Sequence, residues 1–184
     1  ACNYSHIPGE NMIWADKEGT IGWQAVGIAP IRRNFSGLVP VPGDGRYEWD
    51  GYLPIIEKPH SVNPKEGFLA TANQNVTPND YTHWDAIGYS WADPYRGERI
   101  KEVLESGSKM TMNDLKALQT DYLSIPAREL VPLLEQISFN DKFLDAKDKL
   151  NQWNYKLEAN SIPAAIYVAW EEQIMQKAYD MFVP

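Results

Sequence analysis

All 12 glycines of this 184-residue chain lie at or before Gly107, and nine of its 13 prolines lie at or before Pro94. These two residues permit tight turns and end helices, so their crowding into one half dictates strands and loops there and leaves the other half free for helices. The change of pattern falls near residue 95. It divides the sequence into a β-rich portion, 1–95, and a helical subdomain, 96–184, and predicts an α+β fold.

Within the first portion, Asn11-Met12-Ile13-Trp14-Ala15-Asp16 and Thr20-Ile21-Gly22-Trp23-Gln24-Ala25-Val26 are β-prone runs joined by a short polar connection ending in Gly19. Together they predict a hairpin. A third strand is expected over Gly67-Phe68-Leu69-Ala70-Thr71-Ala72. Between them, residues 34–66 hold Pro40, Pro42, Gly43, Gly45, Pro54, Pro59 and Pro64, which reads as a long ordered loop. Loops of that length inside a compact domain are usually functional or draped over a partner surface.

After Pro94 apolar residues recur at helical spacing. Ile100, Val103 and Leu104 share one face, with Gly107 as the stop. Thr111 followed by Asp114 is an N-terminal capping signature for a helix carrying Leu115, Leu118 and Tyr122. Pro126 suits a first helical turn before Leu130, Val131, Leu133, Leu134 and Ile137, and Phe143, Leu144 and Leu150 mark a further helix. Ser161 opens the longest helix, whose stripe of Ile166, Tyr167, Trp170, Ile174, Ala178 and Phe182 is explained by packing.

Charge narrows the function classes. The net charge of -8 is spread evenly, with 7 basic and 11 acidic side chains in residues 1–96 and 10 and 14 in the remainder. No basic cluster is available to neutralise phosphates, so no nucleic-acid partner is expected, and an anionic membrane surface is disfavoured for the same reason. No run of 18 apolar residues occurs, and Ala1-Cys2-Asn3-Tyr4-Ser5-His6 lacks the layout of a signal peptide. The lone Cys2 has no second cysteine to pair with, and His6, His60 and His83 show no metal-binding spacing.

Three segments, taken in order, resemble the penicillin acylase family of N-terminal nucleophile hydrolases. The first is Asn11-Met12-Ile13-Trp14-Ala15-Asp16 with Gly19-Thr20-Ile21-Gly22-Trp23. The second is Leu38-Val39-Pro40-Val41-Pro42-Gly43, continuing to Trp49-Asp50-Gly51-Tyr52-Leu53-Pro54. The third runs from Asn63-Pro64 through Gly67-Phe68-Leu69-Ala70-Thr71-Ala72-Asn73 to Pro94-Tyr95-Arg96-Gly97-Glu98-Arg99-Ile100. In place of the family's Tyr-Pro-Tyr, this chain has Tyr81-Thr82-His83-Trp84.

The resemblance implies the C-terminal part of the large subunit of an amide hydrolase, belonging to an αββα core. The family's nucleophile is a Ser at the first position of that subunit, with its own α-amino group as base. No Ser of this chain occupies that place. By alignment Asn73 takes the place of the oxyanion-hole Asn and Arg96 that of an arginine near the nucleophile. On residue chemistry alone Asn73 reads as a turn residue and Arg96 as a surface residue. A cation in a first helical turn is electrostatically unfavourable, so a compensating contact for Arg96 is expected, and Arg99 is expected to face solvent.

Asp85, eleven positions before Arg96, corresponds to a carboxylate ligand of a structural calcium ion, and Gly37 to a carbonyl ligand. Calcium takes six to eight oxygens, and an ordinary salt-bridged or capping role for Asp85 stays open. The implied partners are the small subunit, the N-terminal part of the large subunit and a small acyl amide substrate. A periplasmic or secreted location is implied likewise. Two rivals remain: an acyl-homoserine-lactone or cephalosporin acylase, with the same chemistry on another acyl group, and a non-catalytic binding module. A binding module would gather Trp14, Trp23, Trp49 and Trp84 on one solvated platform, whereas in an acylase they would be largely buried.

Overall fold

Strands β1 (Asn11–Ala15) and β2 (Ile21–Ala25) form the hairpin read from the sequence, in antiparallel register from Asn11 opposite Ala25 to Ala15 opposite Ile21. The turn is closed by Asp16, whose Oδ1 accepts the Thr20 N–H at 2.8 Å while Gly19 takes the left-handed φ of +91°. Trp14 lies flat on Gly22, so close that a Cβ there would sit 2.3 Å from the indole. The coordinates are a computed structural model describing residues 1–107 and 109–183.

The third strand is not the expected one. Residues 67–72 join no sheet. The place beside β2 is filled from inside the Pro-rich stretch, which also supplies the partner of a short ribbon: β3 (Ala29–Pro30) pairs with β4 (Tyr52–Leu53), and β5 (His60–Val62) pairs antiparallel with β2. Pro59 and Pro64 bracket β5 without interrupting it, which the density of prolines conceals. Residues 34–66 are therefore not one continuous loop.

By Cα packing the chain divides into Ala1–Ser106 and Gly107–Pro184. In the first, Trp23, Val26, Leu53, Ile55 and Ala86 are buried, the last on α1 (Trp84–Ile87). The compositional change at residue 95 marks the start of α2 (Tyr95–Leu104), which stays with this first unit.

The second unit follows the sequence closely. Thr111 caps α3 (Met112–Gln119) in a full capping box with Asp114, and Ser124 and Ser161 cap α4 (Ile125–Leu130) and the later 21-residue helix through the N–H groups of Ala127 and Ala164. Past Leu130 the chain tightens into a 3-10 turn, Val131–Gln136. Pro132 explains this, because it has no N–H to continue the α-helical ladder. Helices α5 (Leu144–Asn151) and α6 (Ile162–Phe182) close a core of Ala127, Val131, Leu134, Leu150, Trp153, Ala164 and Tyr167. The α6 stripe is buried only at its start: Tyr167 is fully buried, whereas Phe182 is 83% exposed. Among the described residues no helix is long and apolar enough to cross a membrane.

Candidate active site

Asn73 and Arg96, 23 residues apart, are brought together on the first unit. Arg96 Nη2 donates to Asn73 Oδ1 at 3.0 Å. A guanidinium has donors and no acceptor, so it dictates which end of the carboxamide faces it. The oxygen is taken, so any further hydrogen bond the carboxamide donates comes from its Nδ2–H₂ end. The pair also answers the electrostatic question about Arg96, whose first-turn position in α2 now has a contact with a dipole's negative end.

The backbone reinforces this arrangement. Among the described residues Asn73 is one of three non-glycine residues with positive φ, at +65°, a conformation that Asn tolerates better than most. Its carbonyl accepts the Ala92 N–H at 3.0 Å, tying the turn to the segment leading into α2. Gln74 Oε1 accepts the Ala72 N–H at 2.6 Å. Neighbouring Asn75 is engaged locally, its Oδ1 accepting the Thr77 N–H at 3.0 Å.

A cleft of about 530 Å³ opens beside Asn73 and Gln74, lined also by Asn11, Trp23, Lys58 and Trp91. Lys58 is buried, with Nζ donating to the carbonyls of Val26 at 2.7 Å and Gly27 at 3.0 Å. Burial pushes its ammonium pKa down. Neither the lysine nor the cleft was visible in the sequence, since nothing local distinguishes Lys58 from a surface lysine.

The other expected positions sort differently. Arg99 does not face solvent freely: its side chain is 22% exposed and pairs with Glu102 at 3.3 Å, while Arg96 is the more exposed of the two. Asp85 and Gly37 gather around one residue, Arg32. The Arg32 N–H donates to the Asp85 carbonyl at 3.0 Å, and a Cβ on Gly37 (φ +76°) would lie 3.1 Å from Arg32 Nε. Arg33 is close as well: its pKa is raised chiefly by its hydrogen bond to Asp50, and also by the charge of Asp85. Among the described residues no group of three or more His, Cys, Asp or Glu side chains converges. The neighbourhood of Asp85 and Gly37 is thus shared with guanidinium groups.

In the segment where the family motif departs, the Tyr81 hydroxyl donates to the Glu57 carbonyl at 3.0 Å and its ring packs on Ala29, Leu53 and Ala86. Burial, with the charges of Glu57 and Asp85, pushes its pKa up to about 12. Tyr81 is thus a structural tie. The tryptophans form no common solvated platform, because Trp23 is buried; nor are they all covered, because Trp14 and Trp49 are exposed at 41% and 55%. Trp14 is uncovered because β1 is an edge strand.

Set against known proteins, the chain belongs to the penicillin amidase family of amide hydrolases: the family model described as penicillin amidase matches residues 1–183. Acyl-homoserine lactone acylase QuiP of Pseudomonas fluorescens is 34% identical over 185 residues, covering 92% of this chain and 22% of the relative. Penicillin acylase 2 proenzyme of Pseudomonas sp. SE83 is 30% identical over 167 residues, covering 89% and 21%. The solved structure of penicillin G acylase from Alcaligenes faecalis shares the fold, with a TM-score of 0.66 at 24% identity over 86% of this chain and 29% of that one. The chain spans about a fifth of the length of these curated relatives.

Proposed function

We propose that these residues are the C-terminal part of the large subunit of an acylase that cleaves an acyl group from an amine, and that Asn73 is an oxyanion donor. The observation that supports this reading is the Arg96–Asn73 hydrogen bond, which occupies the carboxamide oxygen and leaves the nitrogen as the donating end. In the reaction, a Ser at the start of the large subunit, outside these 184 residues, attacks the amide carbonyl carbon. Its own α-amino group takes the hydroxyl proton, as suits a base whose unperturbed pKa is about 7.7–8.0. The carbonyl oxygen becomes an oxyanion facing Asn73 Nδ2–H. Collapse of the intermediate expels the amine, which leaves with that proton, and water then attacks the acyl ester to release the acid and restore the Ser.

On this reading the small strands described above are the margin of a larger αββα core, and the remaining chains of the same enzyme complete the pocket. The word proenzyme in the name of one relative accords with activation by cleavage of a precursor, and a periplasmic or secreted location belongs to the same proposal. Acyl amides of the penicillin type are one substrate class. Acyl-homoserine lactones are the second, favoured by the higher identity to the lactone acylase, 34% against 30%. Assaying the full-length gene product against a phenylacetyl amide and an acyl-homoserine lactone separates the two. Release of amine from neither, by a folded and processed protein, ends the proposal.

Calcium is proposed as a structural ion that takes Asp85 and Gly37 from this chain and its remaining oxygens from segments beyond it. A ligand that binds only the native state stabilises it. Calcium is therefore expected to raise the melting temperature of the intact enzyme and to leave that of Asp85→Ala unmoved; equal shifts in the two would remove Asp85 from the site.

A further inference from the structure

We infer that Gln74 is a positioning residue for Asn73, seated on Gly97 of α2. The inference rests on the proposed oxyanion role of Asn73, and it arises from contacts that the role itself does not require. Gly97 is buried and lies immediately after Arg96. The Gln74 carboxamide occupies the space where a side chain on Gly97 would begin: a Cβ there would lie 2.3 Å from Gln74 Nε2, 2.4 Å from Cδ and 3.0 Å from Cγ. Such a clash is relieved cheaply when the intruding group is a free side-chain end. This end is not free, because its Oε1 holds the Ala72 N–H at 2.6 Å.

Residues 72–74 are thereby braced by one internal contact and fastened to the first turn of α2 at two points. Ala72 is held through Gln74 Oε1, Gln74 rests on the bare backbone of Gly97, and Asn73 Oδ1 takes the Arg96 donor at 3.0 Å. Gln74 and Gly97 belong to one fitted contact, and Arg96 precedes that glycine directly, so the seat for Gln74 sets the distance between Asn73 and its arginine. A glycine inside a helix lowers helix stability, so a packing reason for it is expected, and here the packing partner is Gln74. The left-handed backbone of Asn73 makes the arrangement sensitive: a turn at φ +65° kept in place by side-chain contacts relaxes when one of them is removed.

The test uses the full-length processed enzyme and reads kcat and KM separately for Gly97→Ala, Gln74→Ala, Gln74→Met, the Gln74→Ala/Gly97→Ala double variant and Asn73→Ala. Displacement of a catalytic donor by an ångström costs up to about 100-fold, so each single variant at 74 or 97 is expected to lower kcat by roughly tenfold or more with KM within about threefold. The double variant is expected to be no slower than Gln74→Ala alone, because the three atoms nearest the alanine methyl all belong to the glutamine side chain and go with it; residues sharing one contact are non-additive in this way. Gln74→Met keeps the side chain's length, leaves Gly97 untouched and lacks the acceptor, so it gives the reading if Gly97→Ala does not fold. Wild-type kcat in the 74 and 97 variants alongside a collapsed Asn73→Ala overturns the inference and leaves the oxyanion role standing. Losses confined to KM, or losses that multiply in the double variant, also overturn it. Wild-type kcat in Asn73→Ala overturns both.

Discussion

On the proposed role of Asn73, the intact enzyme carrying Asn73→Ala is expected to lose roughly 100- to 1000-fold in kcat, as deletion of one preorganised donor at a developing oxyanion does. KM changes little, because the donor meets full negative charge only in the tetrahedral intermediate and a weakly polar carbonyl before it. Folding is nearly unaffected, since the side chain is exposed and Arg96 is rehydrated when its acceptor goes. One correction applies. At φ +65° an alanine carries a backbone cost of about 1 kcal/mol that asparagine largely avoids. Asn73→Gly removes that term while deleting the same donor, so both variants lose kcat and only the alanine loses melting temperature. Arg96→Lys also impairs turnover, because a point ammonium does not reproduce the fork that fixes the carboxamide's orientation. A penalty that appears in KM alone returns Asn73 to the turn residue its local sequence suggests.

A polypeptide of these 184 residues alone is expected to hydrolyse neither an amide nor a lactone. In the proposed mechanism Asn73 and Arg96 stabilise charge and form no bond to carbon, and charge stabilisation without a nucleophile leaves only residual catalysis that still needs bound substrate. Ala1 offers no nucleophilic side chain. Cys2, the single thiol, is half-buried in the short 3-10 turn Cys2–Tyr4 and follows Ala1, so it has no free α-amine of its own to serve as base. The same polypeptide is expected to self-associate. Met12, Ile13 and Trp14 on β1 are 43%, 52% and 41% exposed, and among the described residues β1 pairs only with β2, so apolar surface and an unpaired edge coincide there. The assay sets the purified chain, alone and mixed with the complementary chains, against a chromogenic phenylacetyl amide and an acyl lactone. Turnover by the chain alone that Cys2→Ala abolishes would overturn the reading; turnover only on mixing supports it.

What could be read from the sequence was whatever is decided locally. The capping box of Thr111 and Asp114, the Ser161 cap and the Gly19 turn are settled within four residues, and each stands as the residues predict. Strand β5 escaped because pairing is decided by what lies across from it: His60-Ser61-Val62 has little β character, and it is a strand because β2 needs a neighbour. The 3-10 turn after Leu130 was legible in principle from Pro132. At the candidate site, Asn73 and Arg96 were reached through motif order, and their contact is the structure's contribution. The Arg99–Glu102 pair is an i,i+3 spacing that helical phase makes legible, whereas the partial burial of Arg99 depends on packing that no local pattern reports. Gly97 carries a legible signal of its own: among the described residues it is the one glycine inside a helix.

Trp14 resting on Gly22 has a meaning beyond contact area. Antiparallel strands that slide by one residue turn every side chain to the opposite face, and two apolar runs joined by a short turn offer little of their own to prevent it. Here the slide has an obstacle. Trp14 stands opposite Gly22, and the residues on either side of that glycine are Ile21 and Trp23. Either of them, brought under the indole by a slip, would put a bulky side chain where even a single Cβ comes within 2.3 Å of the ring. The alignment in which Trp23 is buried is the one in which the glycine lies beneath Trp14, so the absence of a side chain at residue 22 selects the pairing of the hairpin by excluding its neighbours.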